Sequence, residues 1–326
     1  MGSSPQTLFS RLKQRQKIIA SIREYLYMED FLEVETPLLV KNTTPDVYIE
    51  SIQAGNGYLI TSTEYQVKRL IADGLEKVFT ICKNFRAYDQ GKYHNPEFTM
   101  LEWGRAHCSL EDIEEDVENF ICKAFSEVYP ESKFVSFNGC NIELFGDWER
   151  LTVKEAFERY LGFNELKDFS LESLCWAADS AGFVIPFEYR EDLDFLISYL
   201  LDSLQSHLGK EKPVFLHEWP AYLTSSAPLK GEGTVERSEL YIGGIEVANG
   251  FPFLRDSEIQ RNLFEEQQSR RKKTCKPVVE LDQKYIESLN SLPRGAGMAL
   301  GVDRLVMILT GSVQLSEVMA FTWDDL

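Results

Sequence analysis

Phe85-Arg86-Ala87-Tyr88-Asp89-Gln90-Gly91-Lys92-Tyr93-His94-Asn95-Pro96-Glu97-Phe98-Thr99-Met100-Leu101-Glu102 is the run on which the reading of this chain turns. An apolar strand containing Val78, Phe79 and Ile81 ends in an arginine, and a polar loop centred on Gly91 follows. Such an arginine suits phosphate, because its planar fork meets two oxygens at once. His94-Asn95-Pro96 then returns the chain into an alternating strand in which Phe98 and Met100 share a face with Glu102. A carboxylate closing an apolar strand face predicts a pocket floor. A short arginine motif alone also fits an ordinary surface hairpin, so the flanking chain has to decide.

Upstream, Leu12 to Met28 places Leu12, Ile18, Ile19, Ile22 and Leu26 on one side with basic residues between, which predicts an amphipathic helix. Phe31 to Glu35 alternates and stops at Thr36-Pro37, as a strand at an edge would. Tyr58-Leu59-Ile60-Thr61 reads as a short strand running into a helix capped by Ser62 or Thr63, with Glu64 in the first turn. Glu64 complements the helix dipole there, and it could equally face a ligand ammonium.

Downstream, Glu239-Leu240-Tyr241-Ile242-Gly243-Gly244-Ile245-Glu246-Val247-Ala248-Asn249-Gly250-Phe251 reads as a hairpin, since both central glycines accept positive φ. With Ile242 opposite Ile245, Glu239 and Glu246 become diagonal neighbours roughly 7 Å apart. Two carboxylates that close repel unless a cation lies between them, and oxygen ligands near a triphosphate favour magnesium. Finally, small residues at Gly295, Gly297, Ala299 and Gly301 leave strand surface open to a ligand, and Arg304 opens the apolar helix that follows. Between these motifs, Ser109 to about Gly209 reads as mostly helical, with amphipathic stretches at Thr152 to Leu161, Leu171 to Ala181 and Glu191 to Leu208.

In that order these segments resemble motifs 1, 2 and 3 and the metal hairpin of the class II aminoacyl-tRNA synthetases of the lysyl type. The resemblance implies an α+β fold: an antiparallel sheet flanked by helices, with a helical insertion at about 109–209 between motifs 2 and 3. It implies one catalytic domain over 1–326 and a homodimer through motif 1. Too few residues precede the first helix for the anticodon-reading domain of lysyl-tRNA synthetases. In length and order the chain is instead similar to the elongation factor P β-lysine ligases, which activate an amino acid and transfer it to a lysine of elongation factor P. Ala299, glycine in lysyl-tRNA synthetases, is shared with those ligases.

The resemblance assigns catalysis to Arg86 and Arg304. It assigns ATP binding to these two with His94, Asn95, Phe98 and Glu239, and magnesium to Glu239 and Glu246. Amino-acid binding falls to Glu64, Glu102, Glu246, Asn249, Phe253, Gly297 and Ala299. The expected reaction joins (R)-β-lysine or a related amino acid to AMP, then passes it to an acceptor amine. Three positions depart from the family. Tyr88 stands where motif 2 has glutamate, with Asp89 as a neighbouring substitute. Gly104 replaces a pocket tyrosine, and Phe253 a pocket glutamate. These losses disfavour a substrate with a second ammonium and favour a more apolar or differently shaped one.

Composition sets the outer bounds. The 326 residues are 44% hydrophobic and can bury a large core, while a net charge of −18 disfavours a broad nucleic-acid surface. tRNA is therefore disfavoured as a partner. Six scattered cysteines form no metal-spaced pair or disulfide framework. With no membrane-length apolar run and no secretory signal core, a cytoplasmic protein is expected. Two other readings stay open: a minimal aminoacyl-tRNA synthetase, and a non-catalytic paralog that senses ATP and amino acid.

Overall fold

The computed structural model describes residues 5–231 and 233–326. In chain order its helices are α1 (Pro5–Met28), α2 (Glu64–Ala72), α3 (Leu110–Val128), α4 (Val153–Ala156), α5 (Leu171–Ala181), α6 (Leu193–Gln205), α7 (Ser257–Lys273), α8 (Gln283–Ser288) and α9 (Val302–Leu309). Its strands are β1 (Leu32–Glu33), β2 (Leu39–Val40), β3 (Gln53–Ala54), β4 (Gly57–Leu59), β5 (Lys77–Phe85), β6 (Glu97–Ala106), β7 (Phe134–Phe137), β8 (Cys140–Glu143), β9 (Glu149–Thr152), β10 (Val214–Pro220), β11 (Leu229–Gly231), β12 (Thr234–Ile242), β13 (Ile245–Pro252) and β14 (Gly295–Gly301). The chain divides into two compact units: 1–132 with 225–227 and 250–326, and 133–224 with 228–249.

In the first unit β5 and β6 form a long antiparallel pair, and β14 lies antiparallel on the far side of β6. β1 joins β5 in parallel, so the expected antiparallel sheet has a parallel edge. Strand alternation sends successive residues of β6 to opposite faces. Trp103 meets Phe120 of α3 edge-on, with ring centroids 5.3 Å apart. Gly104 faces α2, where an added Cβ would lie 2.7 Å from Ile71 and 3.1 Å from Val67. Helices thus cover both faces of this sheet. The α1 periodicity holds, for Ile18, Ile22 and Leu26 are fully buried. On α3, Ser109 and Asp112 form a capping box and Ile113, Val117 and Phe120 are buried.

In the second unit β10 pairs antiparallel with β12 and parallel with β9, and β11 lies against β12. β13 follows β12 through Gly243 and Gly244, whose φ values of 62° and 82° are those the hairpin reading required. The Ile245–Asn249 part of β13 belongs to this unit and the rest to the first. The three amphipathic stretches appear as α4 with a π-helical turn over Phe157–Leu161, as α5 and as α6. The region also contains strands. β7 and β8 form a hairpin whose turn residues Asn138 and Gly139 have φ of 47° and 76°. Among the described residues no helix is long and apolar enough to cross a membrane.

Candidate active site

Arg86 lies one residue past β5, where its N–H donates to the Pro96 carbonyl at 2.9 Å and closes the neck of the loop. Its guanidinium sits 5.3 Å from the centre of the Phe98 ring, and its Nε is buried with no hydrogen-bond partner among the described residues. A buried guanidinium donor without an acceptor is costly, and a phosphate oxygen would satisfy it. At the loop tip His94 bridges to Gly91, and its Nε2 lies 2.6 Å from a terminal nitrogen of Arg304. The Nε of Arg304 also donates to the Tyr93 carbonyl at 3.3 Å. The loop and the first turn of α9 therefore present two arginines and a histidine from one unit. That grouping suits a polyanion.

One predicted residue, Asn95, is engaged by neighbouring protein groups. Asn95 donates to the Glu97 carbonyl at 2.7 Å and accepts from the N–H of Trp323 at 2.8 Å, so its amide organises the loop. Tyr88, at φ 67°, is 88% exposed and turns its ring into solvent. Few non-glycine residues adopt that backbone, and this exposed ring does not fill the place of the family's glutamate.

Further along β6, Glu102 is buried and accepts from Ser62 Oγ at 2.5 Å and from both the N–H and the hydroxyl of Thr63. Burial first, opposed by these donors, raises its carboxyl to about 7. The Thr63 hydroxyl, expected to cap α2, is thus diverted to Glu102; α2 has no side-chain bond from its N-cap, and Ser62 Oγ accepts from the Glu64 N–H instead. Glu64 accepts at Oε1 from the ammonium of Lys68 at 2.6 Å. Cross-strand, Ala299 pairs with Glu102 and Gly297 with Gly104. Phe253 is buried over this strand pair, with ring atoms 3.2 Å from the Cβ position of Gly297 and 3.4 Å from that of Gly104. The strand surface expected to be open at Gly295 is closed twice over. A Cβ there would lie 2.1 Å from the Arg105 carbonyl oxygen and 2.8 Å from the Phe253 ring.

In the second unit Glu239 is buried, and Arg237, Tyr241 and Asn249 all donate to it. The Tyr241 hydroxyl lies at 2.7 Å, and Arg237 Nε also donates to the side-chain Oδ1 of Asn249 at 3.2 Å. Burial raises the Glu239 carboxyl to about 7; Arg237 opposes this and the charge of Glu246 adds to it. The charge of Glu246 thus reaches the Glu239 carboxyl. Among the described residues no group of three His, Cys, Asp or Glu could hold a metal. The donor set still fits magnesium, which uses one or two carboxylates and takes remaining oxygens from phosphate and water. The ion would have to displace Arg237 from Glu239.

Four contributors escaped the sequence reading. Lys68 was signalled only by its spacing four residues after Glu64, and Arg237 only by sharing a strand face with Glu239. Asp303 and Arg15 were not signalled at all. Asp303 accepts from the Thr99 N–H at 2.6 Å and pairs with Arg15 at 2.6 Å, pinning the first turn of α9 to β6 and α1.

The model of the class II tRNA synthetases for D, K and N matches residues 4–325. The elongation factor P–(R)-β-lysine ligase of Salmonella paratyphi B is 34% identical, covering 98% of this chain and 97% of that one. The ligase of the same name from Salmonella typhimurium is 35% identical over the same shares. The chain belongs to the class II tRNA synthetase family, alongside the elongation factor P–(R)-β-lysine ligases.

Proposed function

We propose that this protein is an ATP-dependent, AMP-forming amino-acid ligase that transfers its product to a lysine of elongation factor P. The observation that carries the activation step is Arg86 Nε, buried beside Phe98 without an acceptor among the described residues, on the loop whose His94 meets Arg304. Family membership and the relatives' name support ligation and the acceptor. The amino acid is one related to the (R)-β-lysine of the relatives' printed name.

The substrate carboxylate attacks the α-phosphorus of ATP in line. A P–O bond forms to the acyl oxygen, the bond to the β-phosphate breaks and pyrophosphate leaves. Arg86 donates to an α-phosphate oxygen, and Arg304, steadied by His94 and the Tyr93 carbonyl, holds the distal phosphates. The Phe98 ring beneath Arg86 offers a face for the adenine. Little proton transfer is needed, so positioning and charge stabilisation supply the rate. Magnesium, held by Glu239 and Glu246, would neutralise phosphate charge. Glu64 receives the α-ammonium through the carboxylate oxygen that Lys68 leaves open. In the second step an unprotonated amine attacks the acyl carbon, AMP departs with the electron pair of the broken C–O bond, and the new amide nitrogen releases one proton to solvent.

A homodimer through α1 and the β1 segment is part of the same reading. Tyr27, Met28 and Leu32 are large, apolar and exposed there.

The test is amino-acid-dependent ATP–pyrophosphate exchange, followed by labelling of elongation factor P. Arg86→Ala should lower exchange by about a hundred- to a thousandfold, as loss of one transition-state donor does, with little change in melting temperature. Wild-type exchange that survives this substitution would remove Arg86 from its role. Absence of exchange while ATP still binds would replace the enzyme with a sensor.

A further inference from the structure

Resting on the amino-acid site proposed above, we infer that the pocket selects a neutral amino acid with a small or apolar side chain and excludes substrates that carry a second ammonium. Three observations within the first unit converge. Phe253 is 5% exposed and belongs to the hydrophobic cluster of Val67, Ile71, Phe264 and Tyr285. Its ring lies on a floor of Gly104, Gly295 and Gly297, and its own N–H is tied to the Gly295 carbonyl at 2.8 Å. The ring is therefore held by packing and backbone, and it takes up volume that a long side chain would need.

The pocket also contains its own cation. Lys68 is 3% exposed, and its ammonium lies 2.6 Å from Glu64, 3.5 Å from the Tyr285 hydroxyl, 4.9 Å from the Phe251 ring centre and 5.8 Å from that of Phe253. A carboxylate and two aromatic faces hold that charge. An incoming second ammonium would meet a like charge and lose its water, and the carboxylate nearest Lys68 is already shared with it.

Glu102 is a second carboxylate beside α2, this one buried. Ser62 and Thr63 donate three hydrogen bonds to its two oxygens, so freeing it for a ligand would break the turn that starts α2. Gly297 and Ala299 are both half-buried on one face of β14, and the Phe253 ring stands 3.2 Å from the Cβ position of Gly297, so little beyond a short side chain can enter there.

The experiment measures binding and activation separately on the full chain. Titration calorimetry with ATP present follows glycine, alanine, serine, valine, leucine, lysine and both β-lysine enantiomers, and pyrophosphate exchange is run on the same panel. A neutral amino acid should bind, and lysine and β-lysine should show kcat/KM or affinity at least about a hundredfold lower. Phe253→Glu should raise lysine affinity about tenfold or more. Phe253→Ala keeps the pocket apolar while enlarging it, and should shift preference toward longer neutral side chains. Should Phe253→Glu fail to fold, the wild-type panel and Phe253→Ala still decide. Preferred binding of lysine or β-lysine by the wild type overturns the inference, as does binding of no amino acid at all. Selective neutral binding without exchange sustains it while the ligase reading falls.

Discussion

Removing the Asp303 carboxylate should unsettle the protein more than any single change at the phosphate-binding loop, because three elements meet at that side chain. Its side chain is 3% exposed and its partner Arg15 16% exposed, at 2.6 Å. Removing one member of a buried pair costs about 3–5 kcal/mol, and the residual water access of Arg15 places this site near the lower end, about 3 kcal/mol. The Thr99 N–H, which donates to Asp303 at 2.6 Å, loses its acceptor for about another 1 kcal/mol. At about 2 °C per kcal/mol for a chain of this size, Asp303→Ala should lower the melting temperature by about 8 °C. The KM for ATP should also rise, since Arg304 is the next residue and loses the anchor of its helix turn. Differential scanning calorimetry of Arg15→Leu, Asp303→Leu and the double variant tests this directly. The double variant should melt well above the value expected from adding the two single losses. A fall of under about 2 °C in Asp303→Ala, or strict additivity, would refute the coupling.

Acidity offers a second test. Burial raises Glu102 from an ordinary 4.5 to about 7, so between those values the folded protein keeps a proton that the unfolded chain has released. The folded state binds more protons there, and stability falls as pH rises through the window. Melting temperature should drop between pH 5 and pH 7.5, and Glu102→Gln should flatten the slope; Glu239, raised to about 7, and Asp116, raised to about 6, keep part of it. An unchanged slope in Glu102→Gln would contradict this. At the other end of the first unit, Met28 is 71% exposed at the end of α1. Met28→Glu should convert a dimer to a monomer in sedimentation velocity, and a wild type that sediments as a monomer would remove the dimer from the reading.

The chemistry-bearing segments were legible because their signals are local. A turn needing two positive φ values announces itself as Gly243-Gly244, and the burial of Ile18, Ile22 and Leu26 follows from their spacing. The Asn138-Gly139 hairpin carries an equally local signal, masked by the helical periodicity of the stretch around it. The parallel edges at β1 and β9 had no comparable signal, since strand direction depends on which distant segment is met.

The order of motifs, the α+β class and the candidate arginines and glutamates were thus determined by the sequence itself, through periodicity, turn chemistry and family pattern. Which of those side chains stay available was decided only by the tertiary structure. Thr63 caps nothing because Glu102, thirty-nine positions away, takes its hydroxyl. Phe253 closes the glycine floor because the register of β14 on β6 sets Gly297 beside Gly104. Arg15 finds Asp303 from the other end of the chain. Each outcome is a competition among hydrogen-bond and packing partners far apart in sequence, and such a competition is settled when the strands pair and the helices close over them.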